Sequence, residues 1–296
     1  MTFRLFRRGW AAKWSMNDAR ILTAPNVRIE EQIMIVEQVW TGNSYRNFNY
    51  LIACPETGDA LAIDPLDYKK CLKVANDRGW KITQILNTHE HGDHTGGNKG
   101  MVNATGAKII AHANAKNRIP DIDRGVGAGD VIKVGNSVEL ECLDTPGHTM
   151  SHICLLSHTD QPALFSGDTL FNAGAGNCHN GGHPSEMYET FANQLEKLGE
   201  NTLIYPGHDY LINNLQFTLD REPGNEVAGD MLVRYENQDP EDALVTTLAM
   251  EREMNTFFRL QSPGVIARLQ EQFPEIGDAP SPKEVFLKLR ELRNSW

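Results

Sequence analysis

The chain has 296 residues, with 28 Lys and Arg against 39 Asp and Glu, for a formal net charge of −11. That balance lacks the basic footprint duplex nucleic acid requires of a main partner, and no apolar run approaches the ~18 residues of a membrane span. With 40% hydrophobic and 23% charged residues, the composition is that of a globular protein of one large domain or two modest ones.

Residues 1–16 carry Arg4, Arg7, Arg8 and Lys13 and no acid, with Phe3, Phe6, Trp10 and Trp14 at near-helical spacing. This pattern fits an organelle transit segment, a basic membrane-surface helix or an arm packed through its tryptophans. No apolar stretch of the kind a secretory signal needs follows the arginines. Residues 1–30 are therefore set apart as an extension, with a cytoplasmic location expected, or a mitochondrial one if the extension is a transit segment. Five cysteines occur without a C-x-x-C pair, which argues against a disulfide scaffold and for a reducing compartment.

Residues 32–40, 47–54 and 59–63 read as strands, broken by the turn signals Gly42-Asn43 and Pro55-Glu56-Thr57-Gly58. Residues 67–78 have helical spacing, with Gly79 placed to end the helix. A strand at 81–86 runs into Thr88-His89-Glu90-His91-Gly92-Asp93-His94. A Gly-rich turn and a helix then lead to a strand at 107–111. Further strands are expected at 131–134, 137–143, 152–156 and 163–165, a helix at 185–198 and a last strand at 202–205. Beyond His208 the strand signals stop, and residues 209–296 read as helices. The final helix is well specified: Ser281-Pro282-Lys283-Glu284 supplies an N-cap, a proline at the first position and a capping-box glutamate. Arg290 and Arg293 share one face of it. The reading is an α/β (α+β) body over 31–208 followed by a helical domain over 209–296.

The motif at 88–94 places four metal-competent side chains, His89, His91, Asp93 and His94, within six residues at the end of a strand. Pro146-Gly147-His148, Ser166-Gly167-Asp168 and Pro206-Gly207-His208 each end a predicted strand too, with a glycine that lets the backbone turn toward a common crevice. Seven ligands, His89, His91, Asp93, His94, His148, Asp168 and His208, suit two divalent ions sharing one carboxylate. Imidazole and carboxylate fit zinc, and also iron or manganese. The chemistry implied is metal-assisted hydrolysis. No Gly-x-Ser-x-Gly elbow supports Ser151 as a nucleophile instead.

At these residues the sequence resembles the metallo-β-lactamase superfamily, and within it the glyoxalase II (hydroxyacylglutathione hydrolase) family. The stretches that carry the resemblance begin at Thr145 (TPGHTMSHICLL), Phe165 (FSGDTLFNAG), Tyr205 (YPGHDYLINNLQF) and Glu251 (EREMNTFFR). The resemblance implies an αββα sandwich with a C-terminal all-helical domain. It implies a first metal on His89, His91 and His148 and a second on Asp93, His94 and His208. Asp168 would bridge them, and Asp93 would also position the attacking hydroxide, which makes Asp93 and Asp168 the catalytic pair. Tyr210 matches a residue that contacts glutathione, and Arg290 and Arg293 match a basic pair that binds its glycine carboxylate. The family's Lys and Tyr contacts are here replaced by Asn177 and His179.

The expected activity is thioester hydrolysis of an S-(2-hydroxyacyl)glutathione to glutathione and a 2-hydroxy acid, within methylglyoxal detoxification. The alternatives are a hydrolase of another thioester, ester or lactone and, further off, an iron persulfide dioxygenase. The expected partner is a small acyl thioester, with no nucleic acid and no membrane span, the chain acting as a monomer or weak oligomer.

Overall fold

The computed structural model describes residues 34–296, so the expectations for the basic N-terminus fall outside the described residues. Two six-stranded sheets lie face to face. The first holds β1 (Ile35–Trp40), β2 (Phe48–Ala53), β3 (Asp59–Ile63), β4 (Lys81–Leu86), β5 (Lys108–His112) and β6 (Arg124–Val126) in sequence order. It is antiparallel from β1 to β3 and parallel from β3 to β6. The second is built from β7 (Val131–Val134), β8 (Val138–Asp144), β9 (Ile153–Ser157) and β10 (Ala163–Gly167). A small ribbon, β11 (Leu170–Phe171) with β12 (Gly174–Ala175), leads on to β13 (Leu203–Pro206), which pairs parallel with β10. An edge strand, β14 (Thr246–Thr247), completes the sheet.

Between the sheets Phe48, Tyr50, Leu61 and Ile63 meet Leu140, Leu155 and Phe165, all buried. Each such side chain is worth about 1.5–3 kcal/mol when taken fully out of water. The outer face of the first sheet is covered by α1 (Tyr68–Arg78) and by α3 (Asn98–Thr105), which follows the single turn α2 (Gly92–Thr95); Cys71, Ala75 and Met101 pack on Leu51, Ala53 and Ala62. Because β2 is covered on both faces, all six of its residues are buried. Apart from Asn49, whose side chain is hydrogen-bonded to Asp64 O and Asp67 N, it therefore reads in sequence as an apolar run rather than an alternation.

The outer face of the second sheet is covered by α4 (Pro184–Asn193) and by helices of the C-terminal part. These are α5 (Leu211–Arg221), with α6 (Glu226–Tyr235) packed on it rather than on the sheet, α7 (Leu248–Met254), α8 (Pro263–Gln270) and α9 (Pro282–Arg293). Leu156, Leu164 and Ile204 of the sheet share one core with Met187 and Phe191 of α4 and with Val285, Phe286 and Leu289 of α9. The capping box expected at Ser281 and Glu284 is formed.

Two local expectations are corrected. The helix expected at 185–198 stops at Asn193, and residues 195–197 form a separate 3-10 turn. Gln194 between them leaves helical geometry while its side chain donates to Asp144 O at 2.6 Å. Strand pairing also does not end at His208: Thr246–Thr247 adds to the edge of β13, a segment too short to show a period.

Candidate metal centre

The seven candidate ligands come from strand ends. His89, His91, Asp93 and His94 follow β4, His148 follows β8, Asp168 follows β10 and His208 follows β13. Backbone geometry makes the approach feasible. Gly167 has φ +47°, and a Cβ at Gly207 would lie 2.3 Å from Asp168 Oδ1, so only glycine lets the β13 turn come this close to the carboxylate.

Two sets of donor atoms result. His91 Nδ1 lies 3.0 Å from both His89 Nε2 and His148 Nε2. His94 Nε2 lies 3.3 Å from His208 Nε2, with Asp93 Oδ2 at 3.7 and 3.5 Å from the two. Ligands at about 2.05 Å around a tetrahedral ion would stand about 3.3 Å apart, so both sets have the right spacing. Asp168 sits between them. Its Oδ1 is 3.3 Å from His94 Nε2, and its Oδ2 is 3.5 Å from His148 Nε2 and 3.2 Å from His208 Nε2.

The protein also sets which ring nitrogen faces the centre. His148 Nδ1 donates to Asn177 O at 2.6 Å, His208 Nδ1 to Tyr45 O at 2.7 Å and His91 Nε2 to Asn180 O at 3.0 Å. His94 Nδ1 donates to Asp64 Oδ2 at 3.0 Å. Thr88 Oγ1 gives its proton to Asp64 Oδ2 at 2.6 Å, so it accepts from His89 Nδ1 at 3.0 Å. In all five rings the outer nitrogen holds the proton and the inner one offers a lone pair. Burial drives the His89 pKa well below its ordinary value and that of His148 down to about 4, which keeps both in the neutral, ligating form.

Asp168 supplies a test of fit. Burial alone would raise its pKa, but positive charge beside it, carried by His208 and His94 when no ion takes up their lone pairs, outweighs burial and holds it well below the usual carboxylate range. Its Oδ1 is nevertheless buried without a hydrogen-bond partner. A buried carboxylate oxygen left unpaired costs several times a lost neutral hydrogen bond, and a cation is the natural partner. Together with the convergent lone pairs, this makes the residues fit a pair of metal ions.

Several residues of the centre carry no signal in the sequence reading. Asn47 is fully buried and donates through Nδ2 to Asp93 O at 3.1 Å and Oδ2 at 3.3 Å. Asp64 joins His94 to Thr88. His152 Nε2 accepts from Asp168 N at 3.1 Å, which puts its proton on Nδ1 toward Thr145 and Thr169 and anchors the backbone of the bridging residue. Asp64 ends β3 as the recognised ligands end their strands, and that position is the signal that could have found it.

The cleft over the centre has a volume of ≈ 720 Å³ and is shared by Tyr45, Leu66, Phe171 and Tyr210. Beyond Phe171, Asn177 and Tyr210 it continues into a second cavity of ≈ 280 Å³, lined also by His179, Arg290, Arg293 and Trp296. All five residues expected to touch substrate thus border one space. Tyr210 stacks on His208 with centroids 4.9 Å apart and donates to Tyr45 O at 3.0 Å. Asn177 Oδ1 accepts from His179 N at 3.2 Å. Arg290 does not stand free on the helix face. It is 2% exposed, and its Nη1 donates to Ala175 O and Gly176 O at 2.8 and 2.9 Å. Arg293 is half-buried, with Nη2 on Asn214 Oδ1 at 3.0 Å. Of the pair, Arg293 is the freer to meet a ligand.

The family model described as the metallo-beta-lactamase superfamily matches residues 53–208, and the one described as the hydroxyacylglutathione hydrolase C-terminus matches residues 209–296. A hydroxyacylglutathione hydrolase of Polaromonas sp. is 67% identical over 89% of this chain and 100% of its own length. One of Nitrosococcus oceani is 62% identical over the same shares. Among solved structures, the crystal structure of ETHE1 from Myxococcus xanthus aligns with a TM-score of 0.60 at 25% identity, covering 88% of this chain and 99% of that one.

Proposed function

Because the chain belongs to the hydroxyacylglutathione hydrolases of the metallo-beta-lactamase superfamily, we propose that it hydrolyses S-(2-hydroxyacyl)glutathione to glutathione and a 2-hydroxy acid. The observation that carries this reading is the pair of three-residue donor sets joined by Asp168 at the floor of a cleft that opens toward Arg293. One ion would be held by His89, His91 and His148 and the other by Asp93, His94 and His208, with Asp168 shared; zinc suits this donor set best, and iron or manganese also fit. Such a pair, when bound, lowers the pKa of water enough to supply a nucleophile at neutral pH and polarises the thioester carbonyl.

The chain's own groups do the rest. Asp93, its carboxylate steadied by Asn47, accepts a hydrogen bond from the attacking water and orients it. Tyr210 and Phe171 flank the passage between the two cavities and hold the thioester over the centre. Arg293, with Arg290 behind it, meets the carboxylate end of the thiol, and Asn177 and His179 border the same wall. The departing thiol has an ordinary pKa of about 8.5, so it leaves as thiolate with little need of a general acid. In this reading residues 31–208 carry the chemistry and residues 209–296 complete the thiol-binding wall. The chain is taken to act in the cytoplasm as a monomer or weak oligomer. Among the described residues no helix is long and apolar enough to cross a membrane.

The test is purified, metal-loaded protein with S-lactoylglutathione, alongside a panel of simple esters and lactones. Lactoylglutathione should be the better substrate, with two metal equivalents per chain and no oxygen consumed. An unchanged rate in Asp168→Ala or His89→Ala, or faster turnover of the lactones, would overturn the reading.

A further inference from the structure

Glu90 stands between two candidate ligands, His89 and His91, yet its side chain takes no part in the donor sets. It is 5% exposed. Its Oε2 accepts from Thr149 Oγ1 at 3.0 Å and from Ser151 Oγ at 2.9 Å, while Oε1 pairs with the Arg118 guanidinium. Thr149 directly follows His148, and both hydroxyl residues are buried. Arg118 belongs to the segment after β5, and the guanidinium lies beside Gly181 in the loop whose Asn177 and Asn180 carbonyls orient His148 and His91.

We propose that Glu90 is a positioning residue that clasps the loop bearing His89 and His91 to the loop bearing His148, and so governs retention of one ion of the pair. The triad His89, His91 and His148 is the one donor set drawn from these two loops, and Glu90 gives them a direct side-chain link. The other set is held by different means. Asp93 and His94 lie in α2, pinned by Asn47 and Asp64, and His208 is pinned by Tyr45 O. None of those contacts passes through Glu90. Within the triad, His89 keeps its own support from Thr88 and Asp64, so the looseness should fall on His91 and His148. A charged acceptor facing hydroxyls and a guanidinium makes strong, directional bonds, and its loss leaves buried hydroxyls without a partner.

This inference rests on the two-metal reading above, and its test separates the two. Wild type, Glu90→Ala and His208→Ala are titrated against a chromophoric chelator to obtain stepwise zinc dissociation constants, with bound metal counted after gel filtration. His208→Ala, which lacks a ligand of the other ion, identifies which constant belongs to which set. Glu90→Ala should weaken the constant that His208→Ala spares by about 10- to 100-fold, the range typical for residues that orient ligands, and leave the other within about twofold. Wild type binding no pair of ions would defeat the two-metal reading. Wild type binding two while Glu90→Ala changes neither constant, or both equally, would defeat this inference alone. Should Glu90→Ala not fold, the pair Thr149→Val with Ser151→Ala removes the same two hydrogen bonds, and the same one-sided weakening is required of it.

Discussion

Replacing Glu251 by Gln turns one fully buried acceptor atom into a donor. Glu251 lies on α7, where Oε1 accepts from Thr246 Oγ1 at 2.7 Å and Oε2 from Ala173 N at 2.8 Å and Asn255 Nδ2 at 2.9 Å. Asn172 Nδ2 donates to Thr246 Oγ1 at 2.7 Å, which turns the threonine proton toward the carboxylate. The network ties the loop carrying Phe171 to the C-terminal helices. Burial pushes the Glu251 carboxyl up to about 7 from an ordinary 4.5, against the pull of these donors. A folded-state pKa above the unfolded one means that the native protein binds this proton more tightly. The stabilisation is therefore fully present below pH 4.5 and is lost as pH rises through 7. A shift of this size, at 1.36 kcal/mol per unit and integrated from pH 5 to 8, removes about 2–3 kcal/mol. Gln does not titrate. Urea unfolding of both proteins across that range, at matched metal loading, should show the wild-type advantage over Glu251→Gln shrinking by that amount. A gap that stays flat or widens with pH would mean that the donors outweigh burial, and the reasoning would fail.

Asn47→Ala removes the amide that steadies Asp93; zinc bound by the Asp93, His94 and His208 set should weaken about 10- to 100-fold in the same chelator titration, and unchanged affinity would count against the role given to Asn47. A Cβ at Gly176 would sit 1.7 Å from Asp168 O, so Gly176→Ala must move the bridging residue by more than about 1 Å, and kcat/KM should drop by roughly 10²-fold; wild-type kinetics would contradict the geometry. Arg290→Ala strips two carbonyls of their buried donor and should cost about 2–4 kcal/mol, lowering Tm by roughly 5–15 °C. Arg293→Ala should instead raise KM for lactoylglutathione with little change in Tm. Thermal melts and steady-state kinetics that reversed this division would refute it.

The order of the layers came only with the family resemblance; the sequence by itself determined an α/β body followed by helices and the set of side chains that could ligate metal. The reason is local. A His-x-His-x-Asp-His cluster and three Gly-ligand turns, each at the end of an apolar run, are recognisable from residue type and spacing alone. The strand at Thr246–Thr247 and the break at Gln194 were not legible, because two residues carry no period and a side chain's distant carbonyl partner leaves no mark on its neighbours. Only the tertiary structure decided how each imidazole is oriented. Three of the five outer nitrogens donate to main-chain carbonyls, of Tyr45, Asn177 and Asn180, and a carbonyl is the same at every residue. It also decided that Asn47 meets Asp93 and His208, up to 161 residues away in the chain. Arg290, which the sequence shows only as one of two cations on a helix face, is drawn inward because the carbonyls of Ala175 and Gly176 both face its Nη1. Residue type is written in the sequence; which backbone group stands opposite it is set by the packing of two sheets and the helices against them.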